Sequence, residues 1–243
     1  MRRKLLPYYG MRKSKIDMIV LHAVAYDVEE AIKSFCDNEV SSHYIVDENG
    51  EIWQLVGEKR RARHAGVSYW QGVEDVNSHS IGIEFCSKTL GQKKFEPAQI
   101  KSGIELIKKL VKKYKIRPEN IVGHSDIAPT RKPDPGKAFF WKELAKEGLG
   151  FWYNLSDAKK INDFSVAELL EIIGYDTSDV YASAYAFCRR FLPDMVEEVK
   201  NVAKLVDNVG KASDKLLGDE KFLQVLKAVA YKYASESKTP CKI

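Results

Sequence analysis

The sequence predicts an α/β fold, a mixed β-sheet flanked by helices, followed by a small all-α module. Up to about residue 150, short apolar runs alternate with stretches of helical periodicity, in the order strand, helix, hairpin, strand, helix, strand. Beyond residue 160 the strand signal disappears and only helical patterns follow. We therefore expect one domain at 14–150 and a helical module at 160–243, joined by a linker that begins with the glycines at 148 and 150.

The elements of the first domain follow from local patterns along the chain. An apolar strand is expected at 16–23, and a helix at 28–38 begins after Asp27, a favourable N-cap residue. Residues 43–56 predict a β-hairpin, because two apolar runs flank a polar turn that contains glycine. The remaining expected elements are a strand at 80–85, a helix at 97–115 with Pro97 in its first turn, a strand at 120–123 and a short helix at 139–147.

The helical module begins where Ser165 precedes an apolar stretch that Gly174 ends. Further helices are expected near 178–191, 194–209 and 219–234. Leu, Ile and Phe at helical spacing are first of all core residues.

Composition is ordinary for a soluble globular protein, with 44% hydrophobic and 30% charged residues and a net charge of +5 over 243 residues. The lysines are spread along the chain, which favours a solvated surface over a nucleic-acid patch. No apolar run approaches the roughly 18 residues of a membrane span, and no signal peptide is recognisable at the N-terminus. The four cysteines form no C-x-x-C pair, so free thiols and disulfides both stay open.

The most informative stretch, 124–136, reads His-Ser-Asp-Ile-Ala-Pro-Thr-Arg-Lys-Pro-Asp-Pro-Gly. It places His124, Lys132 and Asp134 on one loop, and histidine and aspartate both ligate zinc. A further candidate ligand, His22, follows the apolar run 16–21. Three protein ligands would leave a coordination position for water, which is typical of catalytic rather than structural zinc.

Several motifs in a fixed order carry a resemblance to a known family. They are Leu21-His22, Val40-Ser41-Ser42-His43-Tyr44, Ile52-Trp53-Gln54-Leu55-Val56, Arg63-His64-Ala65-Gly66, Asn77 with Ser80-Ile81-Gly82-Ile83-Glu84, and 124–136. Residues from about 14 to 150 resemble the zinc-dependent N-acetylmuramoyl-L-alanine amidases of the type 2 family, which includes the peptidoglycan recognition proteins. The likeness is closest to the AmiD branch.

The resemblance implies a mixed sheet with helices and one zinc ion per chain, bound by His22, His124 and Asp134. It also implies that Glu84 is the general base and that Lys132 stabilises the tetrahedral oxyanion. The bond attacked would join the lactyl group of N-acetylmuramic acid to L-alanine, in peptidoglycan or its muropeptide fragments. The main alternative is a non-catalytic protein that binds wall fragments. A remote third is a basic nucleic-acid-binding protein.

Other residues leave more than one interpretation open. Substrate binding is predicted for His64 and Asn77, with structural roles as the alternative for each. Tyr69 and Trp70 form either a platform for a sugar ring or part of the core. Ser42 departs from the family, because phage members and catalytic recognition proteins have tyrosine there, so more of the proton transfer should fall on Glu84.

Partners and location follow from the resemblance. Peptidoglycan or muropeptides are the expected partners, with no nucleic acid and no transmembrane segment. The C-terminal helices resemble a peptidoglycan-binding module at 169–176 and 186–191, with plain packing as the alternative. The AmiD likeness indicates the cell envelope, periplasmic or secreted. The lack of a recognisable signal peptide leaves the cytoplasm as the alternative.

Overall fold

A computed structural model describes residues 1–197, 199, 201–207 and 209–236. Its main sheet has six strands in the order β1-β5-β4-β7-β3-β8, and β2 and β6 form a separate antiparallel pair. The strands are β1 Arg2–Arg3, β2 Tyr9–Met11, β3 Met18–Val24, β4 Tyr44–Val46, β5 Ile52–Gln54, β6 Arg60–Ala62, β7 Ser80–Cys86 and β8 Ile121–Gly123. Strands β4, β7, β3 and β8 run parallel, whereas β5 is antiparallel to β4. The predicted mixed sheet is confirmed.

Helices flank the sheet and then fill the C-terminal part of the chain, as the fold class predicts. They are α1 Val28–Asp37, α2 Val76–His79, α3 Pro97–Tyr114, α4 His124–Ile127, α5 Trp141–Lys146, α6 Val166–Ile173, α7 Val180–Phe191, α8 Val202–Asp207, α9 Asp214–Leu217 and α10 Glu220–Glu236. Asp27 and Ser165 form capping boxes with Glu30 and Glu168. No helix within the described ranges is long and apolar enough to cross a membrane.

The helix expected at 194–209 is wrong in extent. Pro193 begins a short 3-10 turn over Pro193–Met195, and Val196 is extended. Helix α8 begins only at Val202. The side chain of the preceding residue, Asn201, accepts a hydrogen bond from the backbone N–H of Ala203 at 3.0 Å. The short strands β1, β2 and β6 and the short helices α2, α4 and α9 carry no local signal long enough to have been predicted.

The two faces of the main sheet are covered by different parts of the chain. Ile19 and Leu21 of β3 point to one face and pack in a cluster with α3 and residues 139–144. Met18 and Val20 alternate with them and pack on the other face against the C-terminal helices. A third cluster, built by α1 with Ile45 and Leu55, covers the β4–β5 part of that second face.

The segment 148–160 is packed rather than a solvated linker. Leu149 and Phe151 are buried, and the 3-10 turn Leu155–Lys160 lies against α10. One cluster contains Val122 of the sheet together with Phe187 of the helical module. The boundaries 14–150 and 160–243 stay a prediction, and residues 237–243, with Cys241, lie outside the described residues. Of the described cysteines, all are free thiols: Cys36, Cys86 and Cys188.

Replacing Phe187 by alanine tests the shared core. Phe187 is fully buried in the cluster that joins sheet and helices, and we expect Phe187→Ala to lower the free energy of unfolding by about 3–5 kcal/mol. Urea unfolding measures the change. Leu155→Ala is the control, because Leu155 is 55% exposed and its loss should cost no more than about 0.5 kcal/mol. Equal effects of the two changes would contradict the shared core.

Candidate active site

The register of three parallel strands brings the predicted site residues to one edge of the sheet. His22 of β3 is paired with Glu84 of β7, and Leu21 is paired with Gly123, the last residue of β8. His124 therefore emerges directly beside His22. Because parallel strands end at the same edge, residues far apart in sequence meet here.

The two histidines and Asp134 converge through single atoms. His22 Nδ1 lies 2.9 Å from His124 Nδ1 and 3.3 Å from Asp134 Oδ2. His124 Nδ1 lies 3.1 Å from the same carboxylate oxygen. All three side chains are buried, and they form a group that could hold a metal ion.

The hydrogen bonds behind His22 determine which of its nitrogens carries the proton. The hydroxyl of Ser80 donates to the carbonyl of Val76 at 2.6 Å, so its oxygen accepts from His64 Nε2 at 3.3 Å. His64 Nδ1 is then an acceptor, and it faces His22 Nε2 at 3.0 Å. His22 therefore donates from Nε2, and its Nδ1 is left with a free lone pair.

The same reasoning applies to His124. Its Nε2 lies 3.2 Å from the carbonyl oxygen of Ala65, which can only accept, so Nε2 carries the proton and Nδ1 does not. Two unprotonated nitrogens and one carboxylate oxygen thus face one another at about 3 Å with no proton among them. The lone pairs of these three atoms repel one another unless a cation lies between them. The donor set, two imidazoles and a carboxylate, suits zinc.

Burial and neighbouring charges both affect the pKa values of His22 and Asp134. Burial lowers the pKa of His22 to about 4, with a further contribution from His124. Burial by itself would raise the pKa of Asp134, but a proton carried by His124 or His22 would interact with its carboxylate and hold that pKa well below its usual value. Neutral histidine and ionised aspartate are the forms that ligate a metal.

His64 and Asn77 lie behind the predicted ligands. The Asn77 side-chain oxygen accepts from the backbone N–H groups of His64 at 3.0 Å and Ala65 at 2.9 Å. It thereby holds the ring that contacts His22 and the carbonyl that contacts His124. Gly82 makes room for that ring, because a Cβ at this position would lie 2.5 Å from His64 Cγ. The contact with substrate expected of both residues stays a prediction.

Glu84 lies next to the ligands without belonging to them. Its Oε1 is 4.0 Å from His22 Nδ1, and its carboxylate makes no hydrogen bond to another described residue. Burial and then the charge of Asp134 raise the pKa of Glu84 well above its usual value, while the charge of Lys132 opposes them. The half-buried Lys132 is thus close enough to influence both Glu84 and His22.

Arg12 carried no local sequence signal, whereas His43 belongs to a family motif. The Arg12 guanidinium donates to the carbonyls of Glu58, Asn77, Ser78 and Ser80 at 2.8–3.1 Å and so fixes α2 and the start of β7. His43 accepts from the Gly82 N–H at 3.0 Å and contacts the Arg60 carbonyl, a structural role. Only contacts between distant segments reveal these roles.

Of the two residues considered for a sugar platform, Trp70 lies in the core and Tyr69 lines a cavity. Trp70 is buried, packs edge-to-face on Tyr175 and donates to the Glu119 carbonyl, so it belongs to the core. Tyr69 is half-buried and lines a cavity of about 400 Å³. That cavity is bounded by residues 127–131 of the loop between His124 and Lys132 and by residues 176–179 of the helical module.

Comparison with known proteins identifies the family. Residues 12–137 match the N-acetylmuramoyl-L-alanine amidase family (Amidase_2). The chain belongs to this family. It is 41% identical over 189 residues to the amidase AmiD of Escherichia coli, covering 67% of each protein. It therefore is an amidase by family, and the resemblance stated from its motifs is confirmed.

Solved structures extend the similarity over the helical module. The chain is similar to Escherichia coli AmiD in complex with anhydro-N-acetylmuramic acid-L-Ala-D-gamma-Glu-L-Lys, with 32% identity, a TM-score of 0.73 and coverage of 92% of this chain and 93% of that one. It is also similar to AmpDh3 of Pseudomonas aeruginosa in complex with an anhydromuramic pentapeptide, with 26% identity, a TM-score of 0.73 and coverage of 95% and 96%.

Ser80→Ala tests the hydrogen-bond chain behind His22. The substitution removes the acceptor of His64 Nε2 and frees His64 to adopt the other tautomer, so we expect metal affinity to fall about tenfold or more. Competition with a chromophoric chelator measures the affinity. Ser78→Ala is the matched control, because Ser78 is equally buried and its hydroxyl bonds the Lys13 backbone instead of a histidine. Identical affinities in both variants would refute the proposed chain.

Proposed function

We propose that the chain is a zinc-dependent amidase in which His22, His124 and Asp134 hold the metal. It hydrolyses the amide bond between the lactyl group of N-acetylmuramic acid and L-alanine. The observation that supports this proposal best is the meeting of two unprotonated imidazole nitrogens and a carboxylate oxygen beside Glu84. A non-catalytic binder would not need a buried carboxylate at that place.

The chain's own residues supply proton transfer and charge stabilisation. Zinc, when bound, supplies Lewis acidity that makes water a nucleophile near neutral pH. Glu84 accepts the proton of the attacking water and passes it to the leaving amine of L-alanine. Its raised pKa suits a group that must both take and give a proton near neutrality.

Lys132 is proposed to stabilise the negative charge that develops on the carbonyl oxygen. Its ammonium makes no ion pair with another described residue, so its charge is available to the substrate. Ser42, in place of the tyrosine of some relatives, is buried and its hydroxyl has no hydrogen-bond partner within the described residues. Proton transfer therefore falls on Glu84.

Muropeptides or peptidoglycan are the proposed substrates. Two similar structures contain anhydromuramic peptides, and the 400 Å³ cavity beside the 127–131 loop offers room for part of such a ligand. Tyr69 at its wall could stack on a sugar ring. Substrate contact by His64 and Asn77 stays a proposal, with a structural role as the alternative that their hydrogen bonds support. A wall substrate favours the cell envelope, with the cytoplasm as the alternative for soluble fragments.

Two variants separate catalysis from metal binding. Glu84→Gln should lower the release of stem peptide from muropeptides by about 10²–10⁴-fold, because the base is lost while all proposed ligands remain. His124→Ala should abolish activity and metal binding together. Mass spectrometry of products and metal analysis of the purified proteins measure both. Wild-type protein that binds muropeptides without releasing peptide would be a non-catalytic binder, and the proposal would fail.

Lys132→Met tests charge stabilisation. We expect kcat to fall by about 10²–10³-fold with metal content retained, because one cation near the developing oxyanion is lost. Lys112→Met, at an exposed position of α3, is the control for the loss of a positive charge. A change in KM alone would indicate that Lys132 binds substrate rather than stabilising the transition state.

A further inference from the structure

A buried carboxylate outside the proposed ligand set links the metal site to the C-terminal helices. Asp126 is 1% exposed and is the third residue of α4, the short helix that begins with His124. Its Oδ2 accepts from the backbone N–H of Gly123 at 2.7 Å. This bond caps the turn from which His124 projects.

The other two groups that donate hydrogen bonds to Asp126 belong to the helical module. Arg190 of α7 donates to Asp126 Oδ2 at 2.8 Å, and the hydroxyl of Tyr175 donates to Oδ1 at 2.7 Å. The ion pair is almost fully buried on both sides. An isolated charge would be costly to bury here, so each partner needs the others.

Arg190 also contacts the elements on either side of α4. It donates to the Ile121 carbonyl of β8 at 3.2 Å, and its guanidinium lies 4.1 Å from the ring centroid of Trp141 in α5. One side chain of the module therefore holds together the strand that leads to His124, the turn that carries it and the helix that follows. The rigid fork of arginine suits such a multiple contact.

The loop of the third ligand is packed against the same turn. The backbone N–H of Ser125 donates to the Asp134 carbonyl at 2.8 Å. A Cβ on Gly123 would lie 2.9 Å from Pro135 and 3.1 Å from Trp141, so no side chain fits between them. A movement of α4 would therefore displace His124 and Asp134 together.

We propose that Arg190 and Tyr175 are positioning residues of the metal centre, acting through Asp126. The helical module then contributes to building the active site, whether or not it also binds the wall. This inference rests on the proposed metal function. It goes beyond it by assigning a role in metal binding to residues that contact neither metal nor substrate.

Arg190→Met and Arg189→Met form a matched pair. Arg189 is a buried neighbour on the same helix, but it donates to the Val209 carbonyl and lies over Tyr185. We expect Arg190→Met to lower the affinity for Zn²⁺ by about 10–100-fold, together with kcat. Arg189→Met should leave Zn²⁺ affinity unchanged even where it lowers the unfolding temperature. Chelator competition well below both unfolding temperatures separates metal positioning from stability.

Tyr175→Phe covers the case in which Arg190→Met does not fold. It removes one hydroxyl and should weaken Zn²⁺ binding in the same direction by a smaller factor. Equal Zn²⁺ affinity of the folded Arg190 and Arg189 variants, or of Tyr175→Phe and wild type, would overturn the inference and leave the proposed function intact. Wild-type protein that binds no Zn²⁺ and releases no stem peptide would instead overturn the proposed function.

Discussion

The parallel pairing of β3 with β7 on one side and β8 on the other is the constraint on which the site depends. It sets His22 beside Glu84 and lets His124 emerge at the same edge. A shift of one residue in this register would turn His22 toward the opposite core, because side chains alternate between the faces. The apolar residues Ile19 and Leu21, packed on α3, oppose such a shift. The packing of one face of the sheet therefore fixes the positions of the site residues on the other face.

The tautomers of the histidines determine which atoms of the site can bind a cation. Backbone carbonyls and one serine hydroxyl fix the tautomers of His64, His22 and His124. The Nδ1 atoms of His22 and His124, which face Asp134, therefore carry lone pairs and no proton. Burial lowers the pKa values of His22 and His64 and so favours their neutral forms further. These effects are separate in origin and act together. Together they leave a buried group of acceptor atoms that could hold a metal ion.

The helical module is part of the same folded unit as the sheet. Its Phe187 packs in one cluster with Val20 and Val122, and its Arg190 reaches the turn beside His124. The sheet face that carries the site is thus covered by α1 at one end and by the C-terminal helices at the other. The cavity lined by Tyr69 lies between residues 127–131 and residues 176–179 of the helical module.

The sequence by itself determined the elements whose signals are local. Capping at Asp27, the helical spacing of α3 and the apolar strands before His22 and Glu84 predict those elements, and the ordered motifs identify the family. Only the tertiary structure decided that His64 lies behind His22 and that Trp70 is core. Likewise it alone decided that Asp126 is paired with an arginine from a distant helix. Such pairings join residues tens of positions apart. Their energy comes from burial and geometry that exist only after the chain has folded.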